Sequence, residues 1–129
     1  MIKKKKINQK DKRGYILDIF VNEPKEHCTI VTFNKNSVRG NHFHKKSKQY
    51  SFILDGKVLM YIAKVDSRGK IKSKILKKIV NKNDLVVHKP LEAHAFKAIT
   101  KSTMLAFADG IRGGSNYEKD TFRLSIKLV

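Results

Sequence analysis

Three histidines and one amide in this chain are spaced so that they can share a site. His42 and His44 flank Phe43. Alternate residues of a β-strand share a face, so both imidazoles point the same way. A short excursion through Lys45-Lys46-Ser47-Lys48 can then bring Gln49 back beside them. His94 follows a turn at Pro90. Three imidazole nitrogens and one amide oxygen make a ligand set for a divalent transition metal such as Zn, Fe, Mn or Ni. The same histidines suit acid–base catalysis without any metal, because an imidazole titrates near neutrality. The neutral amide of Gln49 is a weaker ligand than a carboxylate, which weighs against the metal. Both uses stay open on the sequence alone.

Other polar residues are secondary candidates. His88, in the strand leading to Pro90, can serve as a second acid–base group, as a partner that orients a ligating histidine, or as a partly exposed strand residue. Tyr61 is a general acid if it points inward, and core otherwise; core is favoured, since aromatics commonly fill sheet faces. Tyr50 alternates away from Gln49 and is expected to pack outward. His27 has no partner by spacing and is assigned nothing. The run Gly110-Ile111-Arg112-Gly113-Gly114 lacks Gly-Lys-Ser/Thr and opens no helix, so it reads as a turn. Neither paired zinc-binding cysteines nor a serine nucleophile elbow is present.

These residues must be positioned by strands. Gly14 to Phe20, His27 to Phe33, His42 to His44, Gln49 to Leu54, Lys57 to Val65, Lys72 to Val80, Leu85 to His88, Ala93 to Ile99, Thr103 to Asp109 and Thr121 to Val129 read as short strands. Turn residues such as Asp55-Gly56 and Asn81-Lys82-Asn83-Asp84 break them. Regular short strands argue for an all-β sandwich or barrel.

The chain has 129 residues, 40% of them hydrophobic, which suits one domain with one core. Residues 1 to 13 read as a flexible basic N-terminal segment and 14 to 129 as the domain. No apolar run is long enough to span a membrane, and Met1 to Ile7 has no apolar stretch behind its lysines, so a signal peptide is not expected. Cys28 is alone, which rules out an internal disulfide and fits a reducing cytoplasm; in a strand-like run it is expected to be buried. The formal charge is +18, from lysines spread along the whole chain. Such charge attracts anions but speaks more to solubility than to a site. Aromatics do not interleave with the basic runs as a single-strand platform requires, so nucleic acid is not the expected partner.

The stretch from Gly40 to Gly56 resembles the first motif of the cupin superfamily: His-x-His, a short gap, an acid, six residues, Gly. Asp84 to Phe96 resembles the second, with an acid, a proline turn and His94. Gln49 replaces the family's acidic ligand, and the leading Gly40 stands closer to the first histidine than usual. The run Arg39-Gly40-Asn41-His42 is similar to the cupins that act on nucleotide-linked sugars in surface-polysaccharide and deoxysugar pathways. The tail from Gly110 to Arg123 resembles their last strand. The resemblance implies a single-domain jelly-roll barrel with its site inside. It implies a nucleotide-linked keto-sugar epimerase or isomerase, with His42, His44 or His94 as base, or all three and Gln49 holding a metal. Arg39, with its bidentate fork, is the implied phosphate group, followed by His88, Arg112 and Arg123 as substrate-binding residues. The alternatives are a non-catalytic metal-binding or sensing cupin and a metal-dependent oxygenase. A homodimer is implied, with Tyr15 to Phe20 extending a partner's sheet.

Overall fold

Burial alternates along His27–Phe33, with Cys28, Ile30 and Thr32 exposed and Phe33 buried. That period of two belongs to a strand with one covered face. The computed structural model describes residues 1 to 109 and 119 to 129. Among them the strands, in chain order, are β1 (Ile2–Lys4), β2 (Gln9–Asp11), β3 (Gly14–Ile16), β4 (His27–Phe33), β5 (Val38–Phe43) and β6 (Lys48–Asp55). They continue as β7 (Lys57–Lys64), β8 (Leu76–Asn81), β9 (Asp84–His88), β10 (Glu92–Ala98), β11 (Ser102–Asp109) and β12 (Phe122–Arg123). The architecture is all-β. Two five-stranded antiparallel sheets, ordered β1-β9-β6-β11-β4 and β12-β5-β10-β7-β8, face each other as a jelly roll.

The inter-sheet core is Phe33, Ile53, Val58, Met60, Val80, Val86, Phe96 and Met104. Phe33 is 1% exposed, so its truncation to Ala is worth about 3–5 kcal/mol. Both outer faces are also covered in part. Leu17, Ile19 and Phe20 pack over Tyr50, Phe52, Leu85 and Val87 on the first sheet. Leu124 and Leu128 of the C-terminal segment pack with Phe43, Tyr61, Ala63 and Ala95 on the second. This explains why β6 and β9 are buried on both faces over most of their length.

Register sets the inward rows. On the first sheet, His27, Ala108, Gln49 and His88 lie abreast across four strands. The next inward row is Thr29, Ala106, Ser51 and Val86. On the second sheet, His42, His94 and Ile62 lie abreast. The space between the sheets stays open beside β4 because Ala106 and Ala108 leave it unfilled.

Several expectations are corrected. Residues 1 to 13 are not merely a flexible lead-in: Ile2–Lys4 pairs with β9, and Gln9–Asp11 forms a hairpin with β3. The strand expected over Gly14 to Phe20 stops at Ile16, because Leu17, Ile19 and Phe20 turn onto the outer face of the first five-stranded sheet. Of the strand expected over Thr121 to Val129, only Phe122–Arg123 pairs, since the remainder crosses the outer face. The strand expected from Lys72 begins at Leu76. Cys28 is exposed rather than buried, because alternation along β4 turns His27 inward and Cys28 out.

Candidate functional site

The Arg-Gly-Asn-His run owes its residues to a kink in β5. Gly40 has φ +97°, and a Cβ there would stand 2.7 Å from the His94 carbonyl oxygen. Asn41 follows at φ 56°. Both sit in the left-handed region that Gly adopts freely and Asn tolerates. The β5–β10 register shifts at this point, which seats His42 opposite His94. Asn41 then fastens the chain end: its Oδ1 accepts from Leu128 N at 2.8 Å, and its Nδ2 donates to Val129 O at 3.1 Å.

The excursion between His44 and Gln49 is organised by a residue from the far end of the chain. Asp120 accepts hydrogen bonds from the backbone N–H of Lys45, Lys46 and Ser47, at 3.0, 3.0 and 2.6 Å. Burial of this carboxylate opposes its ionisation, but bonds from Ser47, Lys45 and Lys46 outweigh it and hold the pKa below the ordinary value. The backbone carbonyl of Asp120 also accepts from His44 Nδ1 at 2.7 Å. The proline turn is stitched to the same place, because Leu91 N donates to the His44 carbonyl at 2.7 Å.

The expected histidines and the amide do come together. His42, His44, His94 and Gln49 are all buried, and ligand nitrogens of the three histidines lie within 4.8 Å of one another. His42 Nε2 is 3.1 Å from His94 Nε2. His44 Nε2 is 2.9 Å from Gln49 Oε1. His88 is fully buried rather than partly exposed: it stacks on His94 at 4.0 Å between centroids and meets Ser51 Oγ at 3.1 Å. Burial pushes His88 down to about 3, helped by the N-terminal ammonium and by His44 and His42. Burial likewise holds His94 well below its ordinary value, helped by its three histidine neighbours. His94 is therefore a neutral imidazole with a lone pair to offer at neutral pH.

A consistent placement of protons follows. Arg123 Nη1 donates to His42 Nδ1 at 3.2 Å, so a neutral His42 carries its proton on Nε2. That proton points at His94 Nε2, and His94 Nδ1 donates to the Glu92 carbonyl at 3.4 Å. Arg123 thus contacts the pair directly as well as lining a cavity between the sheets. Arg39 stands at the mouth with Nε donating to the Thr32 carbonyl at 3.0 Å. Arg112 lies outside the described residues. Tyr61 belongs to the outer cluster of the second sheet and does not reach the site, and Tyr50 packs outward beneath Phe20.

A cavity of about 980 Å³ opens between the sheets beside β4 and β5. His42, His94 and Gln49 line it, as do Arg39, Arg123 and Lys127; no Asp or Glu side chain lines it among the described residues. His27 and Thr29, unassigned by spacing, also line it.

No protein family's sequence profile matches the chain, and no curated protein matches it. Solved structures do match by shape. A dTDP-4-dehydrorhamnose 3,5-epimerase from Sulfolobus tokodaii superposes with a TM-score of 0.73 at 21% identity, over 88% of this chain and 70% of that one. The sugar 3,4-ketoisomerase QdtA from Thermoanaerobacterium thermosaccharolyticum, in complex with TDP, gives 0.73 at 23% identity, over 97% and 88%. A 3,4-ketoisomerase from Helicobacter canadensis gives 0.75 at 15% identity, over 95% and 89%. The chain has the cupin fold. In this fold the histidine cluster sits between the sheets, as the two motifs imply.

The cluster fits a metal in part. A tetrahedral ion holds imidazole nitrogens at about 2.0–2.1 Å and so about 3.3 Å from each other, close to the His42–His94 separation. His42, His44 and His94 would hold such an ion, and it would polarise a bound carbonyl. Gln49 fits less well, because its oxygen is neutral and already faces His44.

Proposed function

We propose that this cupin is an epimerase or isomerase of nucleotide-linked keto-sugars, moving a proton next to the sugar carbonyl. The observation that carries the reading is the His42–His94 pair, contacted by Arg123 and buried beside a cavity with three cationic lining residues and no described Asp or Glu side chain. A neutral imidazole in that place takes a proton from the carbon beside the carbonyl. The C–H electrons become a C=C bond, and the carbonyl becomes an enolate oxygen. Returning the proton to the former carbonyl carbon, while the hydroxyl on the deprotonated carbon passes its proton to the enolate oxygen, shifts the ketone; returning it to the opposite face of the deprotonated carbon inverts that centre. Arg39, Arg123 and Lys127 complement a diphosphate. The similar ketoisomerase binds TDP and TDP-4-keto-6-deoxyglucose, which supports a pyrimidine nucleotide sugar as ligand.

A metal-binding cupin is the second reading, favoured by the cluster of His42, His44 and His94. The matched donor and acceptor of the His42–His94 pair support the metal-free reading. A homodimer and a cytoplasmic location are part of the proposal. The exposed Tyr15 and Ile16 of the β2–β3 hairpin, and the edge of β4, unpaired among the described residues and with Ile30 69% exposed, are the surfaces proposed for a second copy. No helix among the described residues is long and apolar enough to cross a membrane.

The test is incubation in heavy water with a panel of nucleotide-linked 4-keto-hexoses. Deuterium gained beside the carbonyl, and lost in His42→Ala, establishes the chemistry. No gain with any member of the panel, together with tight retention of a transition metal, supports the second reading.

A further inference from the structure

His27 and Thr29 lie on the wall facing the histidine cluster. They are inward residues of β4, at the edge of the first sheet, whereas His42 and His94 belong to the second. Facing sheets stand about 10 Å apart, which leaves room for one sugar ring. The neighbours of His27 and Thr29 on β11 are Ala108 and Ala106, so no large side chain separates the pair from Gln49 and Ser51.

The hydrogen-bond pattern of the pair has a direction. His27 Nε2 is 3.0 Å from Thr29 Oγ1. His27 Nδ1 is buried and has no hydrogen-bond partner. A buried N–H left unpaired is rarer than an unpaired acceptor. The proton of a neutral His27 therefore resides on Nε2 and is donated to Thr29 Oγ1. The hydroxyl, having accepted, keeps its own proton to donate, and among the described residues no other group receives it. Thr29 is thus an oriented donor on the cavity wall, waiting for an acceptor oxygen.

We propose that Thr29 donates a hydrogen bond to the sugar carbonyl oxygen, across the cavity from the His42–His94 base, with His27 as its positioning residue. The inference rests on the keto-sugar reading above and adds to it the group that meets the developing enolate charge. Donors placed where charge develops act on the chemical step more than on ground-state binding.

The experiment measures the maximal rate of deuterium exchange into a nucleotide-linked 4-keto-hexose, together with dTDP affinity, for wild type, Thr29→Val, Thr29→Ser, His27→Gln and His27→Leu. Thr29→Val is expected to lower the exchange rate about 100–1000-fold, the effect of removing one such donor, with dTDP affinity unchanged. Thr29→Ser, which keeps the hydroxyl, is expected to restore most of the rate. His27→Gln keeps a donor near Nε2 and is expected to lose less than His27→Leu. A Thr29→Val protein that exchanges at the wild-type rate overturns this inference alone. So does one that loses dTDP affinity and rate together, since that marks a structural role. A wild type that exchanges with no keto-sugar overturns the keto-sugar reading and this inference with it.

Discussion

Arg123 donates to the Nδ1 of His42 across 3.2 Å, and that single contact sets which way protons point through the His42–His94 pair. With Nδ1 occupied as an acceptor, His42 donates from Nε2, and His94 keeps its Nε2 lone pair. Arg123→Met is expected to scramble this order. A hydrogen bond to a charged donor is worth about 1.5–3 kcal/mol, so exchange should slow by about 10–100-fold, with a smaller effect on KM. Deuterium exchange at saturating substrate checks it; an unchanged maximal rate with raised KM would mean that Arg123 only binds phosphate.

His94→Asn should be more severe. In the proposed reaction the buried, neutral imidazole supplies the acceptor lone pair, and removing a positioned acid–base group costs about 10²–10⁴ in rate. The readout is the same exchange experiment, with the melting temperature as a control for folding. Residual exchange above a tenth of wild type would point to His42 alone as the base.

The site's central residues were legible because their geometry is local. Alternation puts His42 and His44 on one face whatever the rest of the chain does, and the two motifs mark His94 and Gln49. Gly40 and Asn41 were visible as part of a motif, but their reason, a close approach to the His94 carbonyl and a register shift, is tertiary. Asp120 was missed because it acts on Lys45, Lys46 and Ser47, remote in sequence. His27 and Thr29 were missed for a related reason. Their inward row depends on pairing with β11, and no local spacing links them to a second polar group. The all-β architecture followed from alternation and turns, whereas strand ends did not. Leu17, Ile19 and Phe20 look like strand residues but are used to cover Tyr50 and Phe52.

Asp120 should matter for stability. Its carboxylate accepts three backbone N–H bonds and is 8% exposed. Asp120→Ala removes the acceptor of all three, and leaves the buried Ser47 N–H unpaired at a cost of about 1–3 kcal/mol. A loss of about 1–3 kcal/mol in urea unfolding is expected, with weaker exchange activity because His44 loses its seat. The folded pKa lies below the unfolded one. The carboxylate's contribution is therefore complete above the unfolded pKa and declines as pH falls through the folded value. A Asp120→Asn variant should accordingly flatten the acid limb of the stability curve.

Burial of His88 and His94 adds a second pH dependence, of predictable sign. Each is neutral when folded, and takes a proton near its ordinary value when unfolded. Below about pH 6.5 the unfolded chain binds more protons, so stability falls with falling pH by about 1.4 kcal/mol per unit for each histidine. For His88 the fall continues to about 3, where the folded protein protonates too. His88→Leu should remove one histidine's share of this slope between pH 6 and 4. Urea titrations across that range check it; an unaltered slope would mean that His88 is protonated in the folded protein.

Gln49→Glu separates the two uses of the cluster. A carboxylate beside His42, His44 and His94 completes a three-nitrogen, one-oxygen set for a divalent ion, which the neutral amide serves poorly. Affinity for Mn²⁺ or Ni²⁺, measured by calorimetry, is expected to rise at least about tenfold, since an anionic oxygen replaces a neutral one in a buried site. The proton-transfer reading makes the opposite demand on activity. An anion facing His44 Nε2 in place of the Gln49 oxygen draws positive charge into the cluster, and a bound metal occupies the lone pair that His94 needs. Exchange should therefore fall as metal affinity rises. If Gln49→Glu instead gains exchange activity in proportion to metal bound, the cluster is a metal centre in its working state, and the acid–base assignment of His42 and His94 fails.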